Sequence, residues 1–194
     1  MARAHLIHGI HTDGQAPILG LSPPLRSSGF EVLYPDYGWI AGLETKVVNP
    51  IIVGSLLPYI APGDVLIGHS NGCAIIYDLL NKGAQPAAVA FVNAALERSI
   101  VRPAWVKQID VYFNPGDEIT EVAELSEKLG ITDPVWGEMG HAGYLGSDAA
   151  ITNIDCGATP GMPVVSGHSD FFTPSKLDEW GKYLVGRLAS YGIS

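Results

Sequence analysis

The sequence predicts an α/β fold, a mainly parallel β-sheet flanked by helices on both faces in a three-layer sandwich. Two observations carry that expectation. Strand and helix signals alternate along the chain, the pattern of a parallel sheet covered on both sides. One strand-like run, Val65-Leu66-Ile67, passes directly into Gly68-His69-Ser70-Asn71-Gly72 and then into the apolar stretch Cys73-Ala74-Ile75-Ile76-Tyr77, so strand, sharp turn and helix follow one another without a linker. The chain has 194 residues, 47% of them hydrophobic, which is enough for one good core and too little for two domains of full size. A single domain over residues 1–194 is therefore expected.

The elements follow in order. Ala4-His5-Leu6-Ile7-His8 reads as a first strand ending at Gly9, and a helix is expected around Pro23 to Ser28. Glu31-Val32-Leu33-Tyr34 is a second strand closed by Pro35. Between Leu43 and Tyr59 the apolar residues Val47, Ile51, Leu56 and Ile60 suggest a helix, interrupted by Pro50 and Pro58 and turned by Pro62-Gly63 into the third strand. Ala74 to Asn81 is apolar enough to be a buried helix, ended by Lys82-Gly83. Ala88 to Val92 and Ile109 to Phe113 are the next two strands, and Glu118 to Leu129 reads as a charged amphipathic helix stopped by Gly130. Pro163-Val164-Val165-Ser166 is read as the last clear strand, and Pro174 to Tyr191 as a closing helix with Leu177, Trp180, Leu184 and Leu188 on one face. The segment at about 131–162 breaks the alternation: it is rich in glycine and small residues and has one strand-like run, Ala150 to Ile154. It is either an excursion near a functional mouth or a surface hairpin.

Composition excludes several classes of function. A net charge of −9, with 11 scattered basic residues, is the wrong sign for a nucleic-acid surface. No apolar stretch reaches the length of a membrane span, and Met1-Ala2-Arg3-Ala4-His5 runs into a strand rather than a signal-peptide core, so a soluble cytoplasmic protein is expected. The two cysteines, Cys73 and Cys156, make no disulfide framework.

Within Gly68-His69-Ser70-Asn71-Gly72, a serine at such a turn is pushed out at the carboxyl end of the sheet with the following amide facing the reaction centre. Its hydroxyl becomes a nucleophile only when a neutral imidazole takes the proton, and the imidazole needs a carboxylate to fix its tautomer. His168, in Ser166-Gly167-His168-Ser169-Asp170 ahead of the closing helix, is the expected base. His5, His8, His69 and His141 are less well placed, and His69 is expected to point away from the nucleophile. The expected acid is Asp117 in Asn114-Pro115-Gly116-Asp117, after a strand, with a helix cap as its structural alternative and Glu97 as the competing acid. Asp155 and Asp170 are placed less well. An oxyanion needs two amides: Asn71 after the nucleophile, and Ile10, with His11 next in line, in the loop after the first strand, where Gly9 permits close approach. His8 and His11 lack further ligands at convincing spacing, so no metal is expected.

The His8-Gly9 dipeptide, the Gly68-His69-Ser70-Asn71-Gly72 elbow, the strand-loop acid Asp117 and the late His168 together resemble the α/β-hydrolase superfamily, in particular its small serine hydrolases without a large cap. The resemblance covers almost the whole chain. It implies hydrolysis of a carboxylic ester or thioester through an acyl-enzyme, without a cofactor. The long segment between acid and base departs from a minimal member. Trp39, the loop from Asn93 to Trp105 and the region from Trp136 to Tyr144 are candidates to line an acyl pocket. The same fold hosts acyltransferases and catalytically silent binding proteins, and these remain the alternatives. The expected partner is a small ester or thioester, with the chain a monomer or small homo-oligomer.

Overall fold

A computed structural model describes residues 1–10, 17–38, 45–118 and 137–194. Six strands, β1 Arg3–Ile7, β2 Glu31–Leu33, β3 Val65–His69, β4 Ala88–Val92, β5 Ile109–Phe113 and β6 Ile151–Asp155, form one sheet in the order β2-β1-β3-β4-β5-β6. Every pairing is parallel. Around it lie the helices α1 Ser22–Ser27, α2 Thr45–Leu56, α3 Asn71–Asn81, α4 Met139–Ala142 and α5 Pro174–Ser190.

Successive residues of a strand point to opposite faces, so an apolar run in a central strand feeds two cores. Leu6 and Ile67 belong to one core with Leu25 of α1 and Trp180, Leu184 and Leu188 of α5. Their neighbours Ile7 and Leu66 belong to the other, with Ile52 and Val53 of α2 and Ile76, Leu79 and Leu80 of α3. The closing helix thus buries the face expected of it.

The strand order places the site. From β1 the chain steps outward to β2, then returns to β3 on the other side of β1 and proceeds outward through β4, β5 and β6. The reversal lies between β1 and β3, and in such sheets the crevice outside the carboxyl ends at the reversal is where ligands bind.

Two expected elements differ. Pro163 to Ser166 is not a strand; the sixth strand is Ile151–Asp155, which pairs with β5 from Ile109↔Ile151 to Phe113↔Asp155. Pro163 has no N–H to give a ladder, and Val164 is exposed, so this run serves as the lead-in to the His168 loop. The apolar stripe read around α2 is borne out only in part: Leu56 and Ile60 pack partly buried against the core, and the other two members do not. Val47 and Ile51 are 70% and 66% exposed, and the buried residues are Thr45, Asn49, Ile52 and Val53. Asn49 is the reason: it is buried in a side-chain pair with Asn71, which fixes the rotation of α2. Most of the helix expected from Glu118 to Leu129 lies outside the described residues. Among the described residues no helix is long and apolar enough to cross a membrane.

Candidate active site

Ser70 stands between the last residue of β3 and the first of α3 with φ 56° and ψ −126°, a backbone that a side chain rarely adopts and that costs about 1–3 kcal/mol. Hydrogen bonds hold it there. Its N–H donates to the Val92 carbonyl at 3.1 Å, and its carbonyl accepts from Cys73 N at 3.0 Å and Ala95 N at 3.3 Å.

The glycines of the turn are required by close approach. A Cβ on Gly72 would lie 2.2 Å from the Ile7 carbonyl oxygen and 2.7 Å from that of His8, so α3 can start against the end of β1 only without a side chain there. A Cβ on Gly68 would stand 2.7 Å from Ile76 Cδ1 and 2.9 Å from Cys73 N. Gly9, just past β1, belongs to the same construction: a Cβ on it would meet Ser70 Cβ at 2.9 Å and Ser70 Oγ at 3.3 Å. The loop after β1 is therefore laid directly over the serine hydroxyl, and Ile10 follows it. Asn71 opens α3, where helical N–H groups lack intrahelical partners and the helix dipole favours negative charge. Its side chain is committed elsewhere, since its Oδ1 accepts from Asn49 Nδ2 at 2.9 Å and its Nδ2 donates to Asn49 Oδ1 at 3.0 Å.

The expected base and acid meet. His168 Nδ1 lies 2.9 Å from both Oδ1 and Oδ2 of Asp117, whose side chain is fully buried. A carboxylate only accepts, so Nδ1 carries the proton and a neutral imidazole keeps its lone pair on Nε2. The acid and base loops touch at Gly116, where a Cβ would fall 2.7 Å from the Ser166 carbonyl oxygen. Glu97, the competing acid, is exposed after β4.

Residues that sequence reasoning passed over hold the base loop. The His168 carbonyl accepts from Asn93 Nδ2 at 2.7 Å and from His69 Nε2 at 2.9 Å. Asn93, buried at the end of β4 with φ 43°, also donates to the Gly167 carbonyl at 3.3 Å, while its Oδ1 accepts from Asn114 Nδ2 at 3.1 Å. Below the loop, Asp170 Oδ2 accepts from Ser166 N at 2.9 Å and pairs with Lys176. His69 does not point away from the site. Its ring lies 4.8 Å from that of His168 and meets Phe172 edge-on at 4.9 Å. Burial, aided by the neighbouring His168, pushes its pKa down to about 3, so it is neutral at ordinary pH and donates through Nε2. Among the described residues Ser70 and His168 share no direct hydrogen bond; they are tied through His69, the residue before the serine. Such contacts commonly close only around substrate.

The pocket candidates fare differently. Trp105 donates from Nε1 to the Ala84 carbonyl at 3.1 Å, beyond the end of α3 and at the opposite end of the sheet from Ser70. Tyr144 packs partly buried against the α3 side of the core. His11, Trp39 and Trp136 lie outside the described residues.

No protein-family model matches the chain. A search of curated proteins likewise finds no match. Solved structures are similar. A Xanthomonas campestris pv. campestris protein placed in the alpha/beta hydrolase superfamily has a TM-score of 0.59 and 14% identity, over 98% of this chain and 99% of that one. The ydeN gene product of B. subtilis has a TM-score of 0.59 and 14% identity, over 100% of both chains. The esterase domain of a Rhodothermus marinus protein has a TM-score of 0.56 and 14% identity, over 97% of this chain and 87% of that one. The chain has the fold of the α/β hydrolases, with Ser70 at its strand-to-helix turn.

Proposed function

We propose that this protein is a serine hydrolase of carboxylic esters or thioesters, with Ser70 as nucleophile, His168 as general base and Asp117 as the carboxylate that orients it. The observation that carries the reading is the pair His168–Asp117, joined at 2.9 Å across 51 residues of sequence at the carboxyl end of the sheet that also presents the strained Ser70. The fold shared with proteins named as hydrolases and esterases supports it.

In this reading His168 Nε2 takes the proton as Ser70 Oγ attacks the substrate carbonyl carbon, and the N–H groups of Ile10 and Asn71 receive the oxyanion. Asp117 keeps Nδ1–H pointed at itself and stabilises the imidazolium. The imidazolium then protonates the departing alcohol or thiol. Water, deprotonated by the same imidazole, cleaves the acyl-serine and restores the hydroxyl.

The test is intact mass after treatment with a fluorophosphonate. One adduct is expected on the wild type and none on Ser70→Ala or His168→Ala. A folded wild type that takes no adduct, or a Ser70→Ala variant that still does, refutes the assignment.

A further inference from the structure

An oxyanion hole works because its donors are aimed before the reaction begins. The Gly9–Ile10 peptide is an unpromising donor on that criterion, since glycine leaves the peptides beside it free to rotate. Two side chains, one buried and one partly buried, remove that freedom.

His8 Nδ1 lies 2.8 Å from the carbonyl oxygen of Gly9. A carbonyl only accepts, so Nδ1 carries the proton and pulls this oxygen towards the imidazole. The peptide is trans, so the Ile10 N–H points the opposite way, away from the His8 ring. One peptide earlier, the His8 carbonyl accepts from the Tyr37 hydroxyl at 2.5 Å. The Tyr37 ring stacks on the His8 imidazole at 3.8 Å and 18°, and Tyr34 stands 5.7 Å from the same imidazole. His8 is 1% exposed, so its rotamer is set by this packing and not by solvent. Between them the two residues fix both peptides that flank Gly9, the residue laid over Ser70 Oγ.

We propose that His8 and Tyr37 are positioning residues that aim the Ile10 amide at the developing oxyanion, so that the second half of the oxyanion hole is built by side chains from the segments that follow β1 and β2. This rests on the acyl-enzyme reading above. Burial holds the Tyr37 phenol well above its ordinary pKa, consistent with a hydroxyl that stays a donor.

The test compares 4-nitrophenyl acetate with its thiono analogue, in which sulfur replaces the carbonyl oxygen. Sulfur is a poor acceptor, so a thiono ester draws little from an oxyanion hole, while a misplaced serine or base slows both substrates alike. Tyr37→Phe, which keeps the stack, is expected to lower kcat/KM on the oxo ester about 10-fold, and His8→Leu about 100-fold, the low end of the loss from deleting a donor. The thiono ester is expected to change by less than about 2-fold in both variants, because Ser70 and His168 are untouched. His8→Asn places an amide N–H where Nδ1 stands and is expected to recover activity to within about 10-fold of wild type. Equal losses on both esters, or no rescue by His8→Asn, overturn the positioning role while wild type and Ser70→Ala still report on the enzyme itself. A wild type that neither turns over the oxo ester nor takes a phosphonyl group at Ser70 overturns the hydrolase reading, and this proposal with it.

Discussion

Replacing Asn93 with alanine tests how the base is held. The substitution removes two donated hydrogen bonds, 2.7 Å to the His168 carbonyl and 3.3 Å to that of Gly167, and it strands Asn114 Nδ2, whose acceptor 3.1 Å away was the Asn93 oxygen. Lost bonds of this kind cost about 1 kcal/mol each and a stranded buried donor about 1–3 kcal/mol. The backbone adds to this, because φ is 43° at this position and asparagine tolerates that region while alanine pays about 1 kcal/mol. The sum is about 4–6 kcal/mol, which at a denaturant slope near 2 kcal/mol/M moves the urea midpoint down by about 2–3 M. Asn93→Gly loses the same bonds without the φ penalty and is expected to be the more stable variant by about 1 kcal/mol. Equilibrium unfolding in urea, followed by tryptophan fluorescence, reads both. A midpoint shift under about 0.5 M in Asn93→Ala means the hydrogen bonds are not worth what burial implies. A glycine variant no more stable than the alanine one removes the strain argument.

Other consequences are equally specific. His69 has its pKa pushed from 6.5 to about 3 by burial, so between those values the unfolded chain binds more protons than the folded one. Stability is therefore complete above pH 6.5 and falls as the pH drops towards 3, by up to about 3 kcal/mol at pH 4.5. His69→Gln keeps a donor for the His168 carbonyl but does not titrate, and its urea midpoint should change less between pH 7 and pH 4.5 than that of the wild type; parallel curves would show that His69 is not the group responsible. Gly72→Ala sets a Cβ 2.2 Å from the Ile7 oxygen and should lower stability by about 2–3 kcal/mol, read as a fall in Tm; an unchanged Tm would mean that α3 can move off β1 freely. Asp117→Asn should leave the fold intact and lower ester turnover by about 10⁴-fold, because the amide favours the wrong imidazole tautomer. A loss under tenfold in steady-state assays would return Glu97 to consideration as the acid.

What could be read in the sequence was what leaves a local trace. The turn at Ser70 demands glycine at 68 and 72 for steric reasons that act within a few residues, so the pattern is visible without knowing the fold. The stripe Trp180, Leu184, Leu188 is visible because a helix against a sheet repeats its demand every turn. The residues that were missed satisfy demands from far along the chain. Asn93 and His168 are 75 residues apart, His69 and His168 are 99 apart, and the Tyr37 hydroxyl meets a carbonyl 29 residues earlier. No periodicity marks such residues. The exposure of Val47 and Ile51 on α2 has the same cause, since the rotation of the helix is fixed by one buried amide pair to Asn71. β6 was displaced because a short apolar run becomes a strand only when a neighbour offers a matching edge, and β5 offers it to Ile151–Asp155.

The two halves of the candidate site are held by different physics. The serine end is held by contact, with backbone packed so closely at Gly9, Gly68 and Gly72 that a single methyl group does not fit. The base end is held by polar groups, because the His168 loop is irregular, lies outside the sheet ladder and depends on Asn93, His69 and Asp170 for its position. Steric contact at the elbow resists displacement steeply, whereas a hydrogen-bonded loop yields by rotating one peptide. Damage at the elbow should therefore appear mainly as lost stability. Damage to the polar ties should cost stability too, as at Asn93, but should also appear as lost turnover in the molecules that remain folded, because Ser70 stays where it is and only its base drifts. His69 joins both halves, attached through the chain to Ser70 and through Nε2 to the His168 carbonyl. A substitution there should therefore disturb the elbow and the base loop together.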